Sequence, residues 1–329
     1  EAPAGERMTA CENPKKSKEH RQMKTALQKL FKIGQPMSAY RNTRVGYLFL
    51  APFLALFVVF TLIPVLVGIG LSFTDYNMIE SPAFVGLSNF RILILDDKEF
   101  LIALRNTFLF AFISGPISLL MSFVLAWVIN QLRITRQFFA LAIYAPSIVS
   151  GTAISVVWLY FFSGDSYGLI NSFLTNLGLI SSPIQWTTDP KYILGVVIFI
   201  SVWMGMGTGF LTFLSAFRNL SPDQHEAAMI DGIRSSTQEL FYIVLPNMKP
   251  QLLFAAINST VAAFGVFDIA VAIAGFPSPN YAAHTIVAHL YDFAFVRFEM
   301  GYASAIAVIL FFITFFMGKI LRKLFSENG

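Results

Sequence analysis

His225 and Glu226 begin like the His-Glu-x-x-His signature, in which two histidines one helical turn apart bind zinc and the glutamate acts as general base. The fifth position, however, holds Met229 instead of a second histidine. The pattern therefore excludes a zinc protease site of this kind. The small residues Ala227 and Ala228 that follow the glutamate need another explanation.

Polar residues inside the apolar run 251–276 form a second group that could act on a solute. An amide or a carboxylate facing lipid is costly, so their face of the predicted helix should point into the bundle or a cavity. Asn258 would hydrogen-bond the hydroxyls of a passing solute or bridge two helices, and Asp268 would line the same path or anchor the helix end. The residues on or beside this face are Asn258, Ser259, Thr260, Ala262, Gly265, and Asp268 or Ile269.

Aromatic residues could stack on ring-shaped solutes such as sugars. The chain has 35 Phe, and aromatic side chains are common at membrane interfaces, so residue type alone is weak evidence for stacking. His284 and His289 are five residues apart and share no helical face, so no metal site is predicted. The aromatic candidates are Trp158, Tyr160, Trp203 and Phe264.

Phosphate-binding chemistry is not encoded in the sequence. It contains no Gly-x-x-x-x-Gly-Lys-[Ser/Thr] loop, so we expect no ATP hydrolysis, no bound cofactor and no catalytic residue in this chain. Gly205 and Gly209 lie in an apolar run with no lysine after them. Their Gly-x-x-x-Gly spacing predicts close packing of two helices instead.

Charged residues make up only 13% of the 329 residues and hydrophobic residues 56%, whereas a soluble domain carries about 25% charge. Six apolar runs each reach the roughly 20 residues that a spanning helix needs. The sequence therefore predicts an all-α membrane protein with six transmembrane helices, in which Pro52, Pro64, Pro116 and Pro146 are candidate kinks. The single cysteine, Cys11, permits no intrachain disulfide. The runs are 45–73, 106–129, 138–162, 192–217, 251–276 and 302–321.

Lys and Arg are distributed unevenly between alternate segments, with 18 on the side of the two termini and 5 on the other side. Segments rich in Lys and Arg stay in the cytoplasm, so both termini and the segment 218–250 are predicted to be cytoplasmic. This placement explains the pI near 9.1 without nucleic acid as a partner. The polar tail 1–44 should be partly disordered, with a basic amphipathic stretch at 24–33 and no cleavable signal peptide. The segments 74–105 and 163–191 should lie outside and carry short surface helices.

The cytoplasmic segment contains clear helix boundaries. Ser221 suits the N-cap, Pro222 suits the first helical position, and Gln224 completes a Ser-x-x-Gln capping box. Gly232 suits the residue just past the helix end. We predict one helix at 221–231 and a second near 237–242. The apolar residues 227–230 surround the first helix, so it either packs wholly on its own domain or offers a surface to a partner with a groove.

This segment resembles the EAA loop of binding-protein-dependent ABC importer permeases, whose pattern is Glu-Ala-Ala, three residues, Gly, nine residues and Ile-x-Leu-Pro. Glu226 and Gly232 match the first part, and IVLP at 243–246 matches the end, with ten residues between instead of nine. We place the additional residue in the turn at 233–236, because within a helix it would rotate all later residues by about 100°.

The resemblance extends from residue 45 to the C-terminus and is closest to carbohydrate permeases of the maltose and glycerol-3-phosphate type. A more distant resemblance is to the permease of an alginate-type oligosaccharide importer. The sequence AGFP at 274–277 departs from the Gly-Gly-Pro that the family often has there. The matching stretches are LAPFLALFVVFTLIPVLVGIGLSFTDYN (50–77), FVGLSNFR (84–91), RNT (105–107), FLSAFRNLSPDQHEAA (213–228) and GYASAIAVI (301–309).

The resemblance implies a type I ABC importer permease in the bacterial cytoplasmic (inner) membrane, with a tail at 1–44, a six-helix domain at 45–329 and a coupling loop at 218–250. It implies two ATP-binding cassette subunits that hold ATP and Mg²⁺, a second permease in a heterodimer, and an extracytoplasmic binding protein that delivers a sugar or oligosaccharide. The residues expected to couple to the ATPase are Glu226, Ala227, Ala228, Met229, Ile230, Asp231, Gly232, Leu245 and Pro246. The residues expected along the solute path are Trp203, Asn258, Ser259, Phe264, Gly265 and Asp268.

Two other functions remain open from the residues alone. A self-sufficient secondary carrier for a small polar solute would show inverted repeats with broken helices, and none is visible in the sequence. A membrane enzyme would need clustered His, Asp or Glu in the apolar runs, which the sequence lacks. Partner subunits would distinguish the importer from both.

Overall fold

The computed structural model describes residues 43–132 and 135–326. The tail segment 1–42, with Cys11 and the basic stretch 24–33, lies outside the described residues. Four described helices are long and apolar enough to cross a membrane, and six spans result if each of two sharply bent helix pairs counts as one. This confirms the predicted all-α membrane fold. The described residues divide into two units, one up to Pro64 and one from Val65 onward, and each is described by itself.

The first described helical segments follow the apolar run that begins at residue 45. Pro52 lies inside the first helix, where a membrane protein tolerates it. A π-helical turn precedes Pro64, whose ring nitrogen has no N–H to donate to the helix, and the N–H of Ile63 donates to the carbonyl of Val58. Near Pro64, where a kink was predicted, the helix thus changes from α-helical to π-helical hydrogen bonding for one turn. The segments are α1 (Thr43–Phe57), the π-turn Val58–Leu62 and α2 (Ile63–Leu71).

Short elements fill the segments predicted to lie outside, and the end of the second unit that carries them is called the outer end below. A two-residue ladder joins β1 to β2 in antiparallel register. Surface helices occur in both long segments, as predicted. The elements are β1 (Thr74–Asp75), β2 (Ala83–Phe84), α3 (Ser88–Leu95) and α7 (Leu169–Asn176).

The long helix α4 (Lys98–Gln131) has 34 residues and so spans about 51 Å, well beyond the predicted run 106–129. Its extension begins at Asp97, whose side chain caps the helix by accepting a hydrogen bond from the amide of Phe100 at 2.8 Å. Pro116 lies inside it. The other spans without a sharp bend are the segment Tyr47–Leu71 described above, α8 (Ile193–Arg218) and α15 (Met300–Ser326).

The apolar run 138–162, in which Pro146 was predicted as a candidate kink, is broken into two helices. It forms α5 (Arg136–Ile148) and α6 (Gly151–Phe161), which are bent by 100°. The backbone is extended at Val149, three residues after Pro146. Pro146 removes the hydrogen bond to the carbonyl of Ala142, in the turn before it, so the proline alone does not place the break at Val149.

The apolar run 251–276 also differs from its prediction, because the helix stops at Phe264 and restarts at Asp268. A further bend of 75° separates the helical stretch 236–247 from the span that follows. Gly265 caps the first part, and the interruption permits a change of direction within the membrane domain. The elements from here are α10 (Ser236–Glu239), the π-turn Leu240–Val244, α11 (Leu245–Asn247), α12 (Lys249–Phe264), α13 (Asp268–Ala274), the 3-10 turn Pro279–Tyr281, α14 (Ile286–Tyr291) and the π-turn Asp292–Val296.

Buried asparagines hold the outer segments to the helices. The amide of Asn89 donates to the carbonyls of Ser72 at 3.0 Å and Thr74 at 2.9 Å. Asn106 likewise donates to the carbonyls of Tyr281 and His284. Each amide donates to two backbone carbonyl oxygens and so joins separate segments of the chain. The asparagines of the motifs FVGLSNFR and RNT, Asn89 and Asn106, therefore have a structural role.

Candidate functional site

The segment 218–250, predicted to be the cytoplasmic coupling segment, forms the helix α9 (Pro222–Ile230), within one residue of its predicted bounds at each end. Gly232 has φ +96°, a conformation that glycine adopts without a Cβ penalty. The amide of Ile233 donates to the carbonyl of Ala228 at 3.0 Å, and the amide of Gly232 donates to Met229 at 3.3 Å. This is a Schellman arrangement, so the glycine ends the helix as predicted.

The predicted capping box at Ser221 is wrong. Ser221 is the N-cap residue of α9, but its side chain makes no capping hydrogen bond. The capping box lies instead at Ser235 and Gln238, at the start of the second helix. Pro222 occupies the first turn and has no amide hydrogen to satisfy, which lowers the need for a side-chain cap there.

The second helix runs from Ser236 to Asn247, longer than the predicted 237–242, and contains a π-turn at Leu240–Val244. The turn lies before Pro246, which lacks the amide hydrogen that would continue an α-helical pattern. A π-turn holds one residue more than an α-turn. This π-turn is therefore a second position that accommodates the residue by which the spacing from Gly232 to Ile243 exceeds the EAA pattern. The first position is the turn at 233–236, where we predicted that residue.

The two helices of the coupling segment have one anchored side and one exposed apolar end. Ala228 is only 6% exposed, and Val244 and Met248 are buried among the phenylalanines of α4 and α8. Met229 and Ile230, by contrast, are 54% and 87% exposed. The remaining predicted coupling residues are exposed or half-buried: Glu226, Ala227, Asp231, Gly232, Leu245 and Pro246.

A cavity of about 610 Å³ lies within the membrane domain of the second unit, bounded by α4, α8, α12 and α13. Five residues of the predicted polar face line it, although α12 and α13 are separate helices: Asn258, Ser259, Ala262, Gly265 and Asp268. Asn258 and Asp268 are exposed to it, whereas Ser259 donates to the carbonyl of Gly115 at 3.0 Å and so also joins α12 to α4.

Two residues predicted on the solute path lie elsewhere. Phe264 is 1% exposed and packs edge-on against Phe108 in the core. Trp203 packs edge-on against Trp158, with ring centroids 5.2 Å apart. These two rings pack against other aromatic rings, whereas the aromatic residues that line the cavity are Phe110, Phe254 and Phe267. Tyr160 is exposed and does not line the cavity.

The sequence reading missed a row of serines on the cavity wall. Ser114, Ser118 and Ser122 recur every fourth residue along α4, so they share one face. Ser118 faces Gly205 and Ser122 faces Gly209 of α8, the pair predicted to allow close packing. The serine spacing inside an apolar run was the signal that could have identified this wall.

Adding a methyl group at Gly209 should destabilise the domain. A Cβ there would lie 2.8 Å from the hydroxyl of Ser122, which is held by its hydrogen bond to the carbonyl of Met206. We expect Gly209→Ala to cost about 1–3 kcal/mol of unfolding free energy, measured by thermal or denaturant unfolding of the purified protein. Gly195→Ala, on the same helix with nothing within 4 Å of its added Cβ, should be neutral or slightly stabilising. Equal effects of the two changes would contradict close packing at Gly209.

The break between α5 and α6 and the break between α12 and α13 both border this cavity. A Cβ at Gly151, the first residue of α6, would lie 3.5 Å from the Cβ of Asp268, the first residue of α13. The two helix starts therefore approach each other at the wall. Non-helical backbone at membrane depth is tolerated where it lines a cavity, and here it does.

The outer end contains a buried polar cluster that the histidine spacing did not predict. His289 Nε2 lies 2.9 Å from Asp97 Oδ2, and its Nδ1 lies 3.4 Å from His284 Nε2. Tyr302 donates to the same carboxylate oxygen at 2.7 Å. The two histidines meet because His284 precedes α14, so helical spacing does not govern their distance. Among the described residues no group of three or more His, Cys, Asp or Glu could hold a metal.

The cluster perturbs two ionisable groups. Burial raises the pKa of Asp97, but hydrogen bonds from His289, the amide of Phe100 and Tyr302 outweigh it and bring the pKa to about 2. Burial, and secondarily the charge of His289, lowers the pKa of His284 to about 4. The carboxylate therefore stays ionised and the His284 ring stays neutral at ordinary pH.

The lowered pKa of His284 predicts a loss of stability in mild acid. An unfolded histidine titrates near pH 6.5, so below that pH protons favour the unfolded chain until the pH reaches about 4. Between pH 7.5 and 5.0 the linked loss should be about 2 kcal/mol. Thermal unfolding at both pH values would measure it. His284→Phe should remove this part of the pH dependence, and an unchanged dependence in the variant would contradict the assignment.

The chain is similar to known transporter subunits over most of its length. It is 32% identical over 290 residues to the probable ABC transporter permease protein YesP of Bacillus subtilis, covering 87% of this chain and 92% of that protein. It is 32% identical to the lactose transport system permease protein LacF of Rhizobium radiobacter, covering 80% and 88%. It is 29% identical to the trehalose/maltose transport system permease protein MalF of Thermococcus litoralis, covering 83% and 90%. No protein-family model matches the chain.

The fold is also similar to a solved structure. A chain of a bacterial ABC transporter involved in the import of the acidic polysaccharide alginate superimposes with a TM-score of 0.73 over 88% of this chain, at 20% identity. That identity supports the likeness of fold alone. The 32% identity to YesP over most of both chains shows that this chain belongs to the ABC transporter permease family and is a membrane-spanning permease subunit.

Proposed function

We propose that this chain is one of two permeases of an ATP-driven importer for a sugar or oligosaccharide in the bacterial inner membrane, with both termini in the cytoplasm. The relatives named for lactose and trehalose/maltose transport support a carbohydrate solute. A related structure holds an alginate ABC transporter together with a periplasmic protein that carries a pentasaccharide, which supports delivery by a binding protein.

The exposed apolar end of α9 carries the proposal. Met229 and Ile230 are exposed at a helix whose opposite side, at Ala228, is anchored to the domain. An apolar helix end of this kind fits a groove on another protein. We propose that the groove belongs to an ATP-binding cassette subunit, which holds ATP and Mg²⁺, and that Glu226 and Gly232 fix the position and the end of the helix.

The solute would pass through the cavity. Its wall offers serine and threonine hydroxyls, an amide and glycine backbone, which are partners for sugar hydroxyls. We retain Asn258, Ser259, Gly265 and Asp268 as proposed path residues and drop Trp203 and Phe264, which line no part of the cavity.

Purification of the chain in mild detergent from its native membrane, followed by mass spectrometry of the proteins that accompany it, tests the assembly. A second six-helix permease and an ATPase with a Gly-x-x-x-x-Gly-Lys-[Ser/Thr] loop are expected. The chain alone, or only with copies of itself, would overturn the proposal and favour a secondary carrier, a class in which broken helices such as α5 and α6 also occur.

A further inference from the structure

The cavity has a simple charge distribution. Among the described residues that line it, Asp268 is the single charged side chain, and no Lys, Arg or His accompanies it. The other polar groups are neutral hydroxyls and one amide.

A carboxylate in such a wall treats neutral and acidic sugars differently. It accepts two hydrogen bonds, so it can hold two neighbouring hydroxyls of one sugar ring, and its charge strengthens both bonds. A uronic acid would bring a second negative charge close to Asp268. That charge would meet repulsion from Asp268 and no cation on this wall.

We propose that Asp268 is a specificity-determining residue that makes this half of the solute path select neutral glycans over uronates. The inference rests on the proposed function and names its solute class more narrowly. It predicts a solute class different from that of the alginate importer to which the fold is similar, because alginate is an acidic polysaccharide. Asn258 lies one helix away on the same wall and supplies an uncharged partner for hydroxyls.

Binding of a matched pair of sugars tests the proposal. The probes are β-1,4-mannotriose and β-1,4-trimannuronate, which share a backbone and differ by a hydroxymethyl or a carboxylate group on each ring. Isothermal titration of the purified complex, without the binding protein, should give at least about tenfold tighter binding of mannotriose, equivalent to about 1.4 kcal/mol. Equal affinities, tighter binding of trimannuronate, or no binding of either sugar would overturn the proposal.

Two variants separate a charge effect from a packing effect. Asp268→Asn keeps the shape and is acceptable at a helix start, and it should bring the ratio of the two affinities close to one. Asn258→Asp adds a second carboxylate to the wall and should increase the ratio. Asp96→Asn removes an exposed carboxylate that does not line the cavity and should leave the ratio unchanged.

An unchanged ratio in Asp268→Asn would overturn the role of this residue, and if that variant fails to fold, the Asn258→Asp result decides. Association with the ATP-binding subunit is measured in the same preparations. Loss of selectivity with the subunit still bound would refute only this inference, whereas absence of the subunit would refute the proposed function.

Discussion

Ile230→Asp is expected to remove the ATP-binding subunit from the purified complex and to reduce uptake by at least about 100-fold, which corresponds to about 2.7 kcal/mol. Ile230 is 87% exposed, so the chain itself should fold and insert normally. In the proposed groove the same side chain becomes buried, and an unpaired carboxylate buried there loses its hydration without compensation. Copurification of the ATPase and uptake by membrane vesicles measure the two effects.

Two control variants make the result interpretable. Ile79→Asp places the same charge at an equally exposed isoleucine, 88% exposed, on the outer end, and should leave the ATPase bound. Ala228→Asp places it at the anchored side of α9 and should destabilise the chain itself, visible as a lower unfolding temperature. Retention of the ATPase by Ile230→Asp would contradict the coupling role of this helix end.

Asn171→Asp should unfold the outer segment between residues 163 and 186, at a cost of about 3 kcal/mol or more. Asn171 is fully buried, and its Nδ2 donates to the carbonyls of Ser163, Asp165 and Ile184 at 3.0–3.1 Å. Its Oδ1 accepts from the Ile184 amide and from the indole of Trp186 at 2.8 Å. A carboxylate keeps the two accepted bonds but turns an oxygen toward three carbonyl oxygens.

Hydrogen exchange of the segment 163–192, together with the unfolding temperature, measures this change. Asn176→Asp is the matched control, because it is the same substitution at the exposed end of the same helix, α7. The control should cost at most about 1 kcal/mol, through the unfavourable charge near a helix C-terminus. Equal exchange in the two variants would contradict a fastening role for Asn171.

Features with a local cause were predicted correctly. The end of α9 at Gly232 follows from the backbone preference of glycine, and the membrane-spanning helices follow from apolar runs of at least 20 residues. The face of Asn258 and Asp268 turned toward a cavity because polar groups avoid lipid, whichever helices surround them. These properties need only the residue and its neighbours in the chain.

Features with a distant cause were not predictable in this way. The contact of His289 with Asp97, and of Asn106 with the carbonyl of Tyr281, joins residues more than 170 positions apart.

The sequence by itself determined that this protein is an all-α membrane protein with a short helix that ends at a glycine, because hydrophobicity and capping residues act along the chain. Only the tertiary structure decided where spans break, which aromatic rings fill the core, and which polar groups share the cavity wall. Those outcomes depend on packing and on pairing of buried polar groups between distant segments, and no local pattern records either.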